Sequence, residues 1–242
     1  MIYAFVLTVG LIAGIFGGIV GTGTSIMLLP VLAYGFGPKQ AVPIMAIAAI
    51  MANLARIMAW WRDVDWRAVA AYSIPGIPAA ALGAGTLLAL PSGFVDIAIG
   101  VFFIVMIPFR RWMHARQLTL PLWSLAVVGA IMGFLTGIVA STGPMTVPIF
   151  VSYGLIRGPL LGTEAASSLA VYISKAITFQ RLDALPPDII FKGLIAGSSL
   201  FVGAFIAKRL VLRLNASAFH HLMEGLMLVA GLSMFWNAFS SG

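Results

Sequence analysis

Arg56 and Lys175 lie 119 residues apart, and each interrupts a long apolar run five or six residues before its polar end. A cation inside such a run costs several kcal/mol unless a partner or water receives it. Two readings follow. Each side chain can snorkel to its own interface, since Arg62 stands only about 9 Å further along a helix. Alternatively, the pair supplies positive charge to a shared anion. Asn53, one helical turn before Arg56, shares its face and can donate a hydrogen bond, and Tyr172 holds the matching place before Lys175 with a similar capacity.

Two small, hydroxylic, helix-breaking stretches add to these cations. They are Val20-Gly21-Thr22-Gly23-Thr24-Ser25 and Val139-Ala140-Ser141-Thr142-Gly143-Pro144. Each precedes a short apolar segment expected to start a helix at Ser25 or Pro144, so unpaired N–H groups and a positive dipole end point back into the break. Proline suits a first helical turn because it has no N–H to orphan. Two such helix starts facing one centre suit an anion, with Thr22, Gly23, Thr24, Ser25, Ser141, Thr142 and Gly143 as its lining. The plainer alternative is that the hydroxyls only cap these helices.

The elements that must position these groups come in two copies. Gly10, Gly14 and Gly18 are matched at the same spacing by Gly129, Gly133 and Gly137, and the register carries on through Tyr34-Gly35 with Tyr153-Gly154, Arg56 with Lys175 and Arg62 with Arg181. Glycine at every fourth position makes a flat helix face that another helix can approach closely. Apolar segments over 2–20, 25–36, 40–61, 68–90 and 94–112 recur as 121–139, 145–156, 162–180, 189–212 and 219–238. A spanning helix needs about 20 residues, so the second segment of each half is too short to cross unaided and forms a broken or re-entrant pair with the first. Helix-breaking backbone at that depth is tolerated where protein or a water-filled cavity surrounds it.

Composition sets the class. Of 242 residues, 61% are hydrophobic and 9% charged, far from the roughly one quarter charged of a soluble domain. The net charge of +7 is scattered in short clusters between apolar runs, which is a topology signal and not a nucleic-acid-binding face. With no cysteine, disulfides, thiolate metal sites and thiol catalysis are excluded. No metal-ligand spacing, Walker loop, nucleophile elbow or pair of catalytic carboxylates is present, so neither a cofactor nor an enzyme activity is expected. The first 18 residues lack a basic region and read as a retained helix rather than a cleaved signal peptide.

A broken pair returns the chain to the side it entered, so each half makes an odd number of crossings and its copy is inverted. Arg62, Arg67, Arg110, Arg111, Arg116, Arg157, Lys208, Arg209 and Arg213 then fall on one side, and only Lys39 and Arg181 on the other. Positive residues collect in cytoplasmic loops, which places both termini outside. Residues 1–118 form the first repeat and 119–242 the second, in one integral-membrane domain. Among the other charged residues, Glu164 reads mainly as a helix-start acid, with a proton carrier as the lesser alternative. Asp188 with Lys192 and His220 with Glu224 read as local pairs, and Asp96 near Ser92 as a cap.

At these residues the chain resembles the sulfite exporter TauE/SafE family of membrane permeases over nearly all of its length. The resemblance is carried by the glycine-rich opening closed by Pro30-Val31-Leu32, by Val64-Asp65-Trp66-Arg67, by Gly133-Phe134-Leu135-Thr136-Gly137 and by the stretch from Thr163 to Val171. It implies a duplicated permease for sulfite, sulfonates and related organosulfur or small carboxylate anions, with export the commoner direction. The family tends to carry runs of glycine at each break. Here Thr22, Thr24 and Ser25 interrupt the first, and Ala140-Ser141-Thr142 replaces most of the second.

The expectation is therefore an all-α polytopic membrane protein of two inverted-topology repeats, each a broken or re-entrant helix pair followed by three spanning helices. It sits in a cell membrane, most naturally a bacterial inner membrane, and acts as a secondary transporter of a small sulfur-containing anion such as sulfite or an organosulfonate. One repeat rocks against the other around a central anion site. A homodimer and coupling to protons or sodium are both compatible with this reading. An anion channel built on the same site, or a non-transport membrane assembly factor, are the rivals.

Overall fold

The computed structural model describes residues 2–21, 23–91, 119–139 and 142–210, with isolated positions between 97 and 108. Thr22, Ser141, the linker 110–118, most of the fifth segment of the first half, all of that of the second, the Ser92–Asp96 cap and the His220–Glu224 pair lie outside the described residues. The described part is all-helical: α1 Ile2–Val20, α2 Thr24–Phe36, α3 Pro38–Trp60, a 3-10 turn Trp61–Asp63, α4 Trp66–Ala89, α5 Leu122–Ile138, α6 Gly143–Ser152, α7 Arg157–Arg181 and α8 Pro187–Leu210. Four of these helices, α1, α3, α4 and α8, are long and apolar enough to cross a membrane. The short second segments are helices of 13 and 10 residues, about 20 and 15 Å long.

Close backbone approach fixes the packing. The Gly10, Gly14, Gly18 ladder of α1 lies against Ser199, Leu200 and Ala204 of α8, and a Cβ on Gly14 would stand 2.6 Å from the Leu200 carbonyl oxygen. The second ladder does the same on α5, where Gly129, Gly133 and Gly137 meet Tyr72, Gly76 and Ala80 of α4. The first helix of each half thus packs on the fourth helix of the other half. In the same exchange, α3 packs on α8 and α7 on α4.

The third helices, α3 and α7, pack on each other at the centre of the bundle. Gly162 lies against Trp60, Arg56 against Glu164, and Ala49, Ala52 and Asn53 share a pocket with Ser168 and Tyr172, so the two helices run antiparallel. Asp65 starts α4, its carboxylate accepting hydrogen bonds from the N–H groups of Arg67 and Ala68 at 3.0 and 3.2 Å. Its own N–H donates to Thr163 Oγ1 at 2.9 Å, so the Val64-Asp65-Trp66-Arg67 stretch is a helix cap that also ties α4 to α7. At the other end of α3, Lys192 of α8 reaches Gln40 and pairs with Asp188, while at the Asp65 end Lys208 of α8 donates to the Ala59 carbonyl at 2.8 Å.

One boundary corrects the sequence reading in a way that bears on function. The helix expected over 162–180 begins at Arg157, so Glu164 sits in its second turn, 1% exposed, and the first turn carries no acid. Hydropathy hides this start because Arg157, Gly158 and Pro159 dilute the apolar signal, although proline is at home in a first turn.

Candidate functional site

The two breaks open the site. The first runs from the end of α1 to the start of α2 at Thr24, after Gly23 in the left-handed region at φ 112°. The second runs from the end of α5 to the start of α6 at Gly143. Each helix start falls one residue earlier than expected, and neither Gly23 nor Thr142 provides a side-chain cap. The Thr142 hydroxyl is instead 2.6 Å from Thr136 Oγ1, so the capping alternative does not hold for this residue.

Arg56 and Lys175 both turn inward. Arg56 is 8% exposed and Lys175 fully buried, which removes the snorkelling alternative for both. Each grips the end of its own half's first helix. Arg56 Nη1 donates to the Gly21 carbonyl at 2.7 Å, and Lys175 Nζ donates to the Thr136 and Val139 carbonyls at 2.5 and 3.0 Å. Carbonyls left unpaired at a helix C-terminus carry partial negative charge, so a cation is favoured there. The Lys175 ammonium also stands 5.5 Å from the Phe179 ring centre.

Around Arg56 the contacts form a polar centre. Its Nη2 donates to Asn53 Oδ1, so Asn53 accepts here where the sequence suggested a donor. Nη1 stands 2.7 Å from Glu164 Oε2, an ion pair in which that oxygen still lacks a well-directed hydrogen bond. Glu164 Oε1 accepts from Ser168 Oγ at 2.7 Å and Thr146 Oγ1 at 3.1 Å. Thr146 belongs to α6, so Glu164 links Arg56 to the helix that begins at the second break.

One pocket collects these groups. It is lined by Gly21, Thr24, Ala49, Ala52, Asn53 and Arg56 from the first half and by Gly143, Glu164, Ser168 and Tyr172 from the second. Of the residues expected from the sequence, Thr24, Asn53, Arg56, Gly143 and Tyr172 therefore meet. Gly23, Ser25 and Thr142 are buried beside the breaks without lining the pocket, and Lys175 stands behind it on the second break. Tyr72 of α4, buried behind the pocket, lies near Thr142, Glu164 and Tyr172.

Glu164, Ser168 and Tyr72 were not among the expected site residues. Two signals pointed to Glu164: an acid in a mostly apolar helix with a hydroxyl four residues on, and a departure from the repeat, whose matching residue is Met45. Ser168 likewise replaces Ala49. Among the described residues there is no cluster of groups able to hold a metal ion.

The arrangement suits a small anion: one guanidinium, hydroxyls and two helix starts, enclosed by apolar helices. Neither a curated protein nor a solved structure gives a significant match to the chain. A family match does: the family described as Sulfite exporter TauE/SafE covers residues 6–234, taking in both breaks, both ladders and every pocket residue. This chain, a multi-pass helical membrane protein, belongs to the TauE/SafE sulfite exporter family.

Proposed function

We propose that this protein is a secondary transporter of a small sulfur-containing anion, sulfite or an organosulfonate, which binds in the pocket between the two breaks. The observation that carries the reading is that Thr24 and Gly143, the first residues of the two short helices, line one pocket with Arg56. Arg56 holds the anion's charge, and Thr24, Asn53, Ser168 and Tyr172 surround its oxygens. Lys175 acts on the site as a positioning residue, by fixing the end of α5 on which the second break depends.

The two halves are inverted copies that rock about this pocket. Three features support that reading: the equivalent helices α3 and α7 run antiparallel, each half's first helix packs on the other's fourth, and the breaks recur. The contact of Lys208 with the end of α3 brings its charge to the same end of the bundle as Arg62, in line with a basic cytoplasmic face and outside termini.

Thermal stabilisation of the purified protein by sulfite, sulfoacetate, taurine, thiosulfate and acetate tests the site, because a ligand at a hundred times its Kd adds about 2.7 kcal/mol. A sulfur oxyanion is expected to stabilise more than acetate. No stabilisation by any of the five overturns the reading. In proteoliposomes a transporter gives slow, saturable flux, and a large unsaturated current favours a channel.

A further inference from the structure

Glu164 already occupies the anion's place. Its carboxylate stands 2.7 Å from the one guanidinium that the described residues bring to the pocket, and the space left has room for about one water. An incoming anion therefore competes with Glu164 for Arg56, and leaving both negative would set two like charges against one cation in a buried site.

We propose that Glu164 takes up one proton whenever an anion binds Arg56, so that anion and proton occupy the pocket together and leave together. This rests on the anion site proposed above. The proton comes from hydronium or the buffer acid in the solution, whose conjugate base stays there, and goes to the carboxylate, on the oxygen released from Arg56; no other bond changes. With the pocket empty, Arg56 and Glu164 sum to zero charge. With a monoanion bound and Glu164 protonated, they again sum to zero. The loaded and empty carriers thus present the same charge to the membrane, and the step is electroneutral anion–proton symport, driven by the sum of the anion and pH gradients.

Three observations converge on Glu164. Its Oε1 is held by Ser168 and Thr146, which can keep their hydrogen bonds to a neutral carboxyl group, so protonation does not dismantle the contact with α6. Its Oε2 lacks a well-directed hydrogen bond, so the Arg56 contact is the one to be exchanged. The first half has Met45 at the matching place, so this carboxylate has no counterpart in the repeat. Among the described residues, the charged and titratable groups near Glu164 are Arg56 from α3, Tyr72 from α4, and Tyr172 on its own helix α7, with Lys175 further along α7 and turned to the end of α5. Helices α2 and α6 bring no acid, base or histidine to it.

The experiment measures proton uptake and affinity together. Methanesulfonate, a monoanion that does not titrate in the working range, is added to purified protein in weakly buffered detergent solution with a pH indicator. Wild type is expected to take up close to one proton per anion bound, with affinity falling up to tenfold per pH unit as pH rises. Glu164→Gln is expected to bind with no proton uptake and with an affinity independent of pH. Wild-type binding with no proton uptake overturns the coupling and leaves the anion site standing. Uptake that persists in Glu164→Gln assigns the proton elsewhere and also overturns it. No binding by either protein overturns the site itself and the coupling with it. If the variant does not fold, the wild-type stoichiometry still tests the coupling, since binding without proton uptake overturns it.

Discussion

Arg56 and Lys175 make the same kind of contact in the two halves, each donating to carbonyls where its half's first helix ends, yet among the described residues only Arg56 faces a carboxylate. The shared contact is structural, because it closes a helix end that the break leaves open. The unshared one makes the site asymmetric: the charge that an anion can reach lies at the first break. Arg56→Gln is therefore expected to abolish methanesulfonate-dependent stabilisation. Lys175→Gln is expected to lower the melting temperature while retaining weakened binding. Equal loss of affinity in both variants, measured at low and high salt to expose screening, would return Lys175 to the pocket wall.

Thr24 and Ser25 are neighbours with different exposure to the pocket. Thr24 lines it, whereas Ser25 is buried in the first turn of α2 without reaching it. Thr24→Val keeps the volume and removes a hydroxyl, so anion affinity is expected to fall by about 1 kcal/mol, roughly fivefold. Ser25→Ala is expected to leave affinity within error. The reverse order, read by titration of thermal shift, would mean that the break is arranged differently in the bound state.

The ladders make a stability prediction. A Cβ on Gly133 would press on the Gly76 backbone, 2.8 Å from its Cα, whereas one on Gly85 would meet nothing within 4 Å. Backbone does not yield as a flexible side chain does, so Gly133→Ala is expected to cost on the order of 1–3 kcal/mol. Gly85→Ala is expected to be neutral or stabilising by up to about 1 kcal/mol. Detergent-solubilised melting temperatures check both, and equal shifts would show that α4 and α5 are free to separate.

The parts legible in the sequence were those that repeat. The glycine ladders, the short helices and the paired cations each recur at one spacing, and duplication raises a pattern above chance. Arg56 and Lys175 were legible as a pair but not in direction, because a long side chain reaches the interface or the bundle centre equally well from the same Cα. Glu164 was harder to read for the opposite reason. Its place depends on a helix that begins earlier than its apolar segment, and its partner lies more than 100 residues away on α3. Sequence distance hides such a contact, and the asymmetry that makes it functional also removes it from the repeat.

Topology gives a prediction independent of any ligand. The chain has no cysteine, so single cysteines can be placed beside Arg62 and Arg181 without a background. Their positions at opposite ends of the antiparallel α3 and α7 pair lead us to expect labelling from the cytoplasm at Arg62 and from outside at Arg181. Labelling of both from one face would make the repeats parallel and remove the shared centre.

The Arg56–Glu164 pair yields the sharpest energetic test. Removing one partner of a buried ion pair leaves an uncompensated charge and typically costs about 3–5 kcal/mol, whereas removing both is often nearly neutral. Arg56→Gln and Glu164→Gln are therefore each expected to destabilise the apo protein, Arg56→Gln the more, since Glu164 then keeps only the hydroxyls of Ser168 and Thr146. Arg56→Gln with Glu164→Gln is expected to recover most of the loss, with a coupling of up to about 3 kcal/mol. Because an anion replaces Glu164 at Arg56, saturating methanesulfonate should restore the Glu164→Gln variant and leave Arg56→Gln unchanged. Additive losses in the double variant would show that the 2.7 Å approach carries little energy, and that the guanidinium rests chiefly on Gly21 and Asn53.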